Sequence, residues 1–132
     1  MSTIRRWAGG LHLLLALVIA TGVFVQVYLI GAYIFGAGSG ALDAHESIGF
    51  TIHGLEVLLL VVALVAWLPR ADLGLSLTLA VVGTAQVAFA SSTGAWVAAL
   101  HPLGALIVLT LAALLARRAI ARQAARRRHA AR

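Results

Sequence analysis

Two uninterrupted stretches without a formal charge dominate the chain: 36 residues between Arg6 and Asp43, and 44 between Asp72 and Arg117. A hydrocarbon core about 30 Å thick takes about 20 helical residues, so each stretch is long enough for one span or more. A soluble domain carries roughly 25% charged residues to wet its surface. Here the share is 11%, with 62% hydrophobic residues, and this excludes a water-soluble single core. The absence of cysteine also excludes a disulfide-stapled module, a thiolate metal site and a c-type haem attachment.

The pattern predicts an all-α integral membrane four-helix bundle, built as two tandem hairpins within residues 1–118. Its spans run at about 7–35, 42–68, 73–90 and 95–118, and a basic tail follows at 119–132. Pro69 closes the second span, and Ser91-Ser92-Thr93-Gly94 divides the second long stretch. Arg5 and Arg6 imitate the start of a signal peptide. The apolar stretch after them is too long for one, and no clean cleavage site follows, so it reads as a retained span. Asp43 with Glu46 has the spacing of a capping box at the start of the second helix.

All ten basic residues are arginines, and with four spans all ten fall on one side. The positive-inside rule then places both termini in the cytoplasm, and the inner membrane of a bacterial cell is the expected location. The arginine-rich tail is suited to anionic headgroups, which explains the pI of about 11.6 without nucleic acid as a partner. Trp7, Trp67 and Trp96 fall at the expected interfaces. His129 in the tail is expected to touch solvent or headgroups.

The two hairpins repeat a pattern. Gln26 is followed by a small-residue loop and His45-Glu-Ser-Ile-Gly, and Gln86 by Ser91-Ser-Thr-Gly and His101-Pro-Leu-Gly; the glutamine-to-histidine separations are 19 and 15. Both halves start and return on the arginine side, so the repeat axis lies along the membrane normal.

An ionisable group inside a span costs at least about 2.5 kcal/mol on insertion scales and needs an explanation. Gln26, His45, His53, Gln86 and His101 all fall in the outer half, and Glu56 falls near the middle. His45 lies six residues beyond Ser39 and His101 seven beyond Gly94, which puts the two at similar depth. The second and fourth spans run the same way and sit diagonally in a four-helix bundle. Two imidazoles at one level on such helices suit the two faces of one b-type haem, with no coordination position left open. Gly49 and Gly104, one turn deeper, would let a flat macrocycle approach the backbone.

Blander readings stand beside this one. A histidine at a helix start can be hydrated among headgroups, or, at His101, can serve the carbonyl that Pro102 leaves free. With about 100° per residue, Glu56 lies about 20° around the helix from His45 and His53 about 80°. These two suit a proton path, a partner for a ligating histidine, a metal site with His45 and His101, or a neutral hydrogen-bonded pair. His53 is also the fallback haem ligand. His12 has no histidine partner at its level, so one haem per chain is the expectation, with His12 itself interfacial.

The segment from Gln86 to His101 resembles the matching part of the haem A synthase family. There, a glutamine-bearing helix, a short Gly-containing loop and a Leu-His helix start recur in each four-helix half. His45-Glu-Ser-Ile-Gly resembles that family's His-Arg-x-Leu-Gly. The chain is also similar to small bacterial four-helix membrane proteins known only as a domain of unknown function. The resemblance spans about residues 20–118 and implies haem ligation by His45 and His101. Leu42 stands where the family has a glutamate, Glu46 where it has an arginine, and the extracellular cysteine pair is missing, so haem A synthase activity itself is not implied.

The expectation is therefore a haem-binding or electron-transfer subunit, with quinol or an extracytoplasmic carrier as redox partner. Lacking outer arginines, it would hold the propionates by Ser39, Ser47, Ser91, Ser92, Thr93 and backbone N–H groups. The alternatives are a haem-free scaffold in a larger complex or homo-oligomer, supported by small-residue faces such as Ala80–Gly83, and a small transporter built on His53 and Glu56.

Overall fold

The computed structural model describes residues 3–130, without the side chains of His129 and Ala130. The expected headgroup contact of His129 thus lies outside the described residues. The chain forms α1 (Thr3–Ile34), α2 (Ser39–Val65), α3 (Arg70–Ala90), the single turn α4 (Ala95–Ala98) and α5 (Leu100–Ala130). No strand occurs among the described residues. Four stretches, Thr3–Ile34, Ser39–Val65, Arg70–Ala90 and Ala95–Arg128, are long and apolar enough to cross a membrane. Even the 21 residues of α3 reach about 31 Å at 1.5 Å per residue.

Each helix buries a narrow stripe at spacings of three and four. On α1 it is Ala8, His12, Leu15, Ala16, Ile19 and Val23; on α3 it is Asp72, Ser76, Leu79, Ala80 and Gly83. Ile52, Glu56, Leu59, Val62 and Ala63 form the stripe of α2, and α5 contributes Val108, Ala112, Leu115, Ala116 and Ala119. Alanine and glycine recur along these stripes, as close helix packing in a bilayer requires. At most 22% of each span's most apolar window is buried. The remaining apolar surface, including Phe24, Tyr28, Phe50 and Leu103, points outward, which is stable only against lipid.

Helix α1 packs on α2 and α5, and α3 packs on α2 and α5. The diagonals are therefore α1 with α3, and α2 with α5, as the sequence predicts. The Ala80–Gly83 face expected to meet a partner is instead turned inward, with Ala80 and Gly83 both buried.

The turns follow from local chemistry. Helix α1 ends with Gly36 at φ 92°, while the N–H groups of Gly36 and Ala37 donate back to Tyr33 and Ala32. This is the left-handed cap that glycine adopts freely. Helix α2 ends in the same bonding pattern, from Trp67 to Leu64 and from Leu68 to Ala63, with Trp67 in the left-handed position at φ 50°. Pro69 then caps α3, where its missing N–H costs nothing.

Several boundaries differ from expectation by three or four residues, and two differences bear on the site. Helix α2 begins at Ser39, a turn before the anticipated Asp43–Glu46 box, and no side chain caps it. The charge-free residues Gly40 to Leu42 continue the helix, because nothing in their sequence stops it. The fourth span is broken between Ala98 and Leu100, since Pro102 cannot bond to Ala98 and its ring crowds that carbonyl.

Candidate functional site: a histidine pair on the bundle diagonal

At the end of the bundle far from the arginines, α2 and α5 bring His45 and His101 together. Their ring centroids are 6.2 Å apart and the ring planes are inclined by 72°. Each ring is held from the neighbouring helix by the same device. His45 Nδ1 lies 3.1 Å from the carbonyl oxygen of Gln26 on α1, and His101 Nδ1 lies 3.2 Å from that of Gln86 on α3. A carbonyl has no proton to give, so in both rings Nδ1 carries the hydrogen and donates. In a neutral imidazole the lone pair is then on Nε2. Both histidines are thus locked in the tautomer that ligates through Nε2, by the kind of backbone support that orients metal-bound imidazoles.

The two halves match further. The glycines correspond, although Gln26 Nε2 also donates to the backbone carbonyl of His45 at 2.9 Å, a bond that Gln86 does not make to His101. A Cβ built on Gly49 would lie 2.8 Å from Gln26 Nε2, and one on Gly104 would lie 2.5 Å from Gln86 Oε1. The two glycines therefore make room for the glutamine side chains, which occupy the space that a macrocycle edge was expected to use. The Oε1 atoms of Gln26 and Gln86 are buried and accept no hydrogen bond. Gln–His–Gly thus recurs as a spatial unit in both hairpins, and His101 serves Gln86 and not the carbonyl loosened by Pro102.

The hydroxyl groups anticipated near the site are only partly available. Ser91 Oγ donates to Val87 within its own helix end, and Ser92 Oγ accepts from the Gly94 N–H. Ser39, Ser47 and Thr93 are exposed.

His53 and Glu56 form a separate pair, with Nδ1 3.3 Å from Oε2. Glu56 is buried, and its carboxylate occupies the space where Gly83 of α3 has no side chain. Among the described residues no three histidine or acidic side chains cluster as a metal site, so the His45–His53–Glu56–His101 set is not assembled.

At the opposite end lies a polar cluster that sequence reasoning missed. His12 is not interfacial but completely buried, with Nε2 3.2 Å from Ser76 Oγ across the α1–α3 diagonal. Ser76 Oγ in turn donates to the Asp72 carbonyl at 2.8 Å, so His12 Nε2 must be the donor. This leaves His12 Nδ1 as a buried acceptor without a partner. The Asp72 carboxylate is fully buried and accepts from Arg118 and Arg122 of α5. One signal was legible: Arg118 and Arg122 stand four apart, so a single carboxylate on a neighbouring helix can meet both.

The fold and site define a membrane-spanning four-helix bundle in which opposite diagonals are bridged by polar side chains at opposite ends. No protein-family model, curated protein or solved structure matches the chain.

Proposed function

We propose that this protein is a b-type cytochrome-like membrane protein that holds one haem between His45 and His101, toward the end of the bundle away from the arginines. The observation that carries the reading is the pair itself: two half-buried imidazoles on diagonal helices, both with Nδ1 engaged and Nε2 left to ligate. The spacing fits a shared metal. The ring centroids, 6.2 Å apart with planes inclined by 72°, bring both imidazoles within reach of one shared ion, which supports the reading.

His45 and His101 would hold the haem iron, and the group would supply one-electron transfer. The chain's own residues supply orientation. The Gln26 and Gln86 carbonyls set the tautomers, and Gly49 and Gly104 let the glutamines pack close enough to do so. The redox partner is a quinol or an extracytoplasmic carrier, and the protein works as an electron-transfer or haem-binding subunit, alone or within a larger membrane complex. The arginine distribution supports cytoplasmic termini, and the proposed setting is a bacterial inner membrane.

The test is an absorption spectrum of protein purified in mild detergent from haem-supplied cells, oxidised and then reduced with dithionite. A Soret band with sharp α and β bands, lost in His45→Ala and in His101→Ala, is the expected result. A colourless, folded protein overturns the haem reading and favours the scaffold alternative. Loss on His53→Ala, with His45→Ala unaffected, would overturn the pairing.

A further inference from the structure

Beside the buried Asp72 cluster, the arginine-rich end contains a groove of about 300 Å³ between the start of α1 and the end of α5. Its walls carry Arg5, Arg6, Arg122, Arg126 and Arg127. Its lining includes small residues, Gly9, Gly10 and Ala119. A Cβ added to Gly9 or Gly10 would meet nothing within 4 Å. These glycines therefore relieve no packing clash, and side chains there would project into free space.

The charge in the groove is one-sided. Of the four acidic residues in the chain, Asp43 and Glu46 lie at the far end and Glu56 lies within α2; only Asp72 is near. Its single negative charge is shared between Arg118 and Arg122, and no carboxylate pairs with Arg6, Arg126 or Arg127 among the described residues. Arg122 is held in place by Asp72. Arg5 lies over the Trp67 ring, 5.3 Å from its centre, so it too has a fixed seat. Exposed Ile4 and Trp7 on the first turns of α1 provide apolar surface next to the charge.

We infer that this groove is a binding site for a phosphate group, with the headgroup of an anionic phospholipid as occupant. Planar guanidinium groups bind phosphate oxygens in pairs. Basic pockets between membrane helices recognise phospholipid headgroups, and the neighbouring apolar surface suits an acyl chain. The site differs from a general attraction of the basic tail to membranes, because it depends on a shaped space as well as on charge.

The full-length protein in neutral detergent is titrated with phosphatidylglycerol and, separately, with phosphatidylcholine, and bound lipid is counted by native mass spectrometry. Phosphatidylglycerol should bind at one molecule per chain, and phosphatidylcholine much more weakly. With about fivefold for each arginine near an anionic lipid surface, Arg126→Gln with Arg127→Gln should weaken binding about 25-fold. The decisive variant is Gly9→Leu with Gly10→Leu, which keeps every charge. Filling the groove should abolish one-to-one binding while the helical circular dichroism is retained.

Inorganic phosphate as competitor separates the sources. Failure to displace lipid at millimolar concentration supports a lipid site, whereas displacement supports a site for the phosphate group from either source. Equal binding of both lipids, or binding unchanged in the double-leucine and the double-glutamine variants alike, would overturn the inference.

Discussion

Replacing Asp72 with asparagine keeps the shape of the side chain but removes the buried charge that joins α3 to α5. The Asp72 side chain has no exposure, while those of Arg118 and Arg122 are 39% and 21% exposed. Hydrogen bonds to charged groups contribute about 1.5–3 kcal/mol each. Asparagine retains weaker versions of them, and the freed guanidiniums can reach water or headgroups, so solvent screening reduces the loss. Asp72→Asn should therefore cost about 2–3 kcal/mol. Removing both arginines by Arg118→Ala and Arg122→Ala leaves the carboxylate without a partner inside the bundle. That should cost more, about 3–5 kcal/mol. Adding Asp72→Asn to the double arginine variant should restore part of the loss, since no charge then remains unpaired. Thermal unfolding in mild detergent, followed by circular dichroism, reads the order, with about 3–4 °C expected per kcal/mol for a chain of this size. An Asp72→Asn midpoint within a degree of the parent would refute the reasoning. So would a double arginine variant as stable as Asp72→Asn.

Gly83→Ala places a methyl group on the Glu56 carboxylate and should cost about 1–3 kcal/mol, because the carboxylate must leave its place beside His53. Glu56→Ala in the same chain should recover most of that loss, as measured by the same unfolding midpoint; no recovery would place the strain elsewhere. Trp67→Gly should relieve about 1 kcal/mol of backbone strain at φ 50°. It also removes the ring beneath Arg5, a loss of about 0.5 kcal/mol at an exposed site, so the midpoint should still rise in detergent; a fall would mean that the Arg5–Trp67 contact outweighs the strain.

The spans, the common side of the arginines and the order Gln–His–Gly in each half are legible in the residue string, because they depend on quantities that run along one chain. Apolar length is matched to bilayer thickness, charge is excluded from the hydrocarbon, and a repeat preserves order. The diagonal placement of His45 and His101 follows from the same reasoning, since two parallel spans of a four-helix bundle have few other places to go. What the string does not contain is the rotation of each helix about its axis. That rotation turned His12 from an expected interfacial residue into a buried partner of Ser76, and Ala80 with Gly83 from an outer face into the core. It also set the Asp72 carboxylate against arginines 46 and 50 residues away. The stripes that bury these groups are narrow, and the outward surface is equally apolar, so hydrophobic periodicity is too weak to reveal which face turns inward. Only the packed bundle decides it, by bringing each buried polar group to the neighbour that can satisfy it.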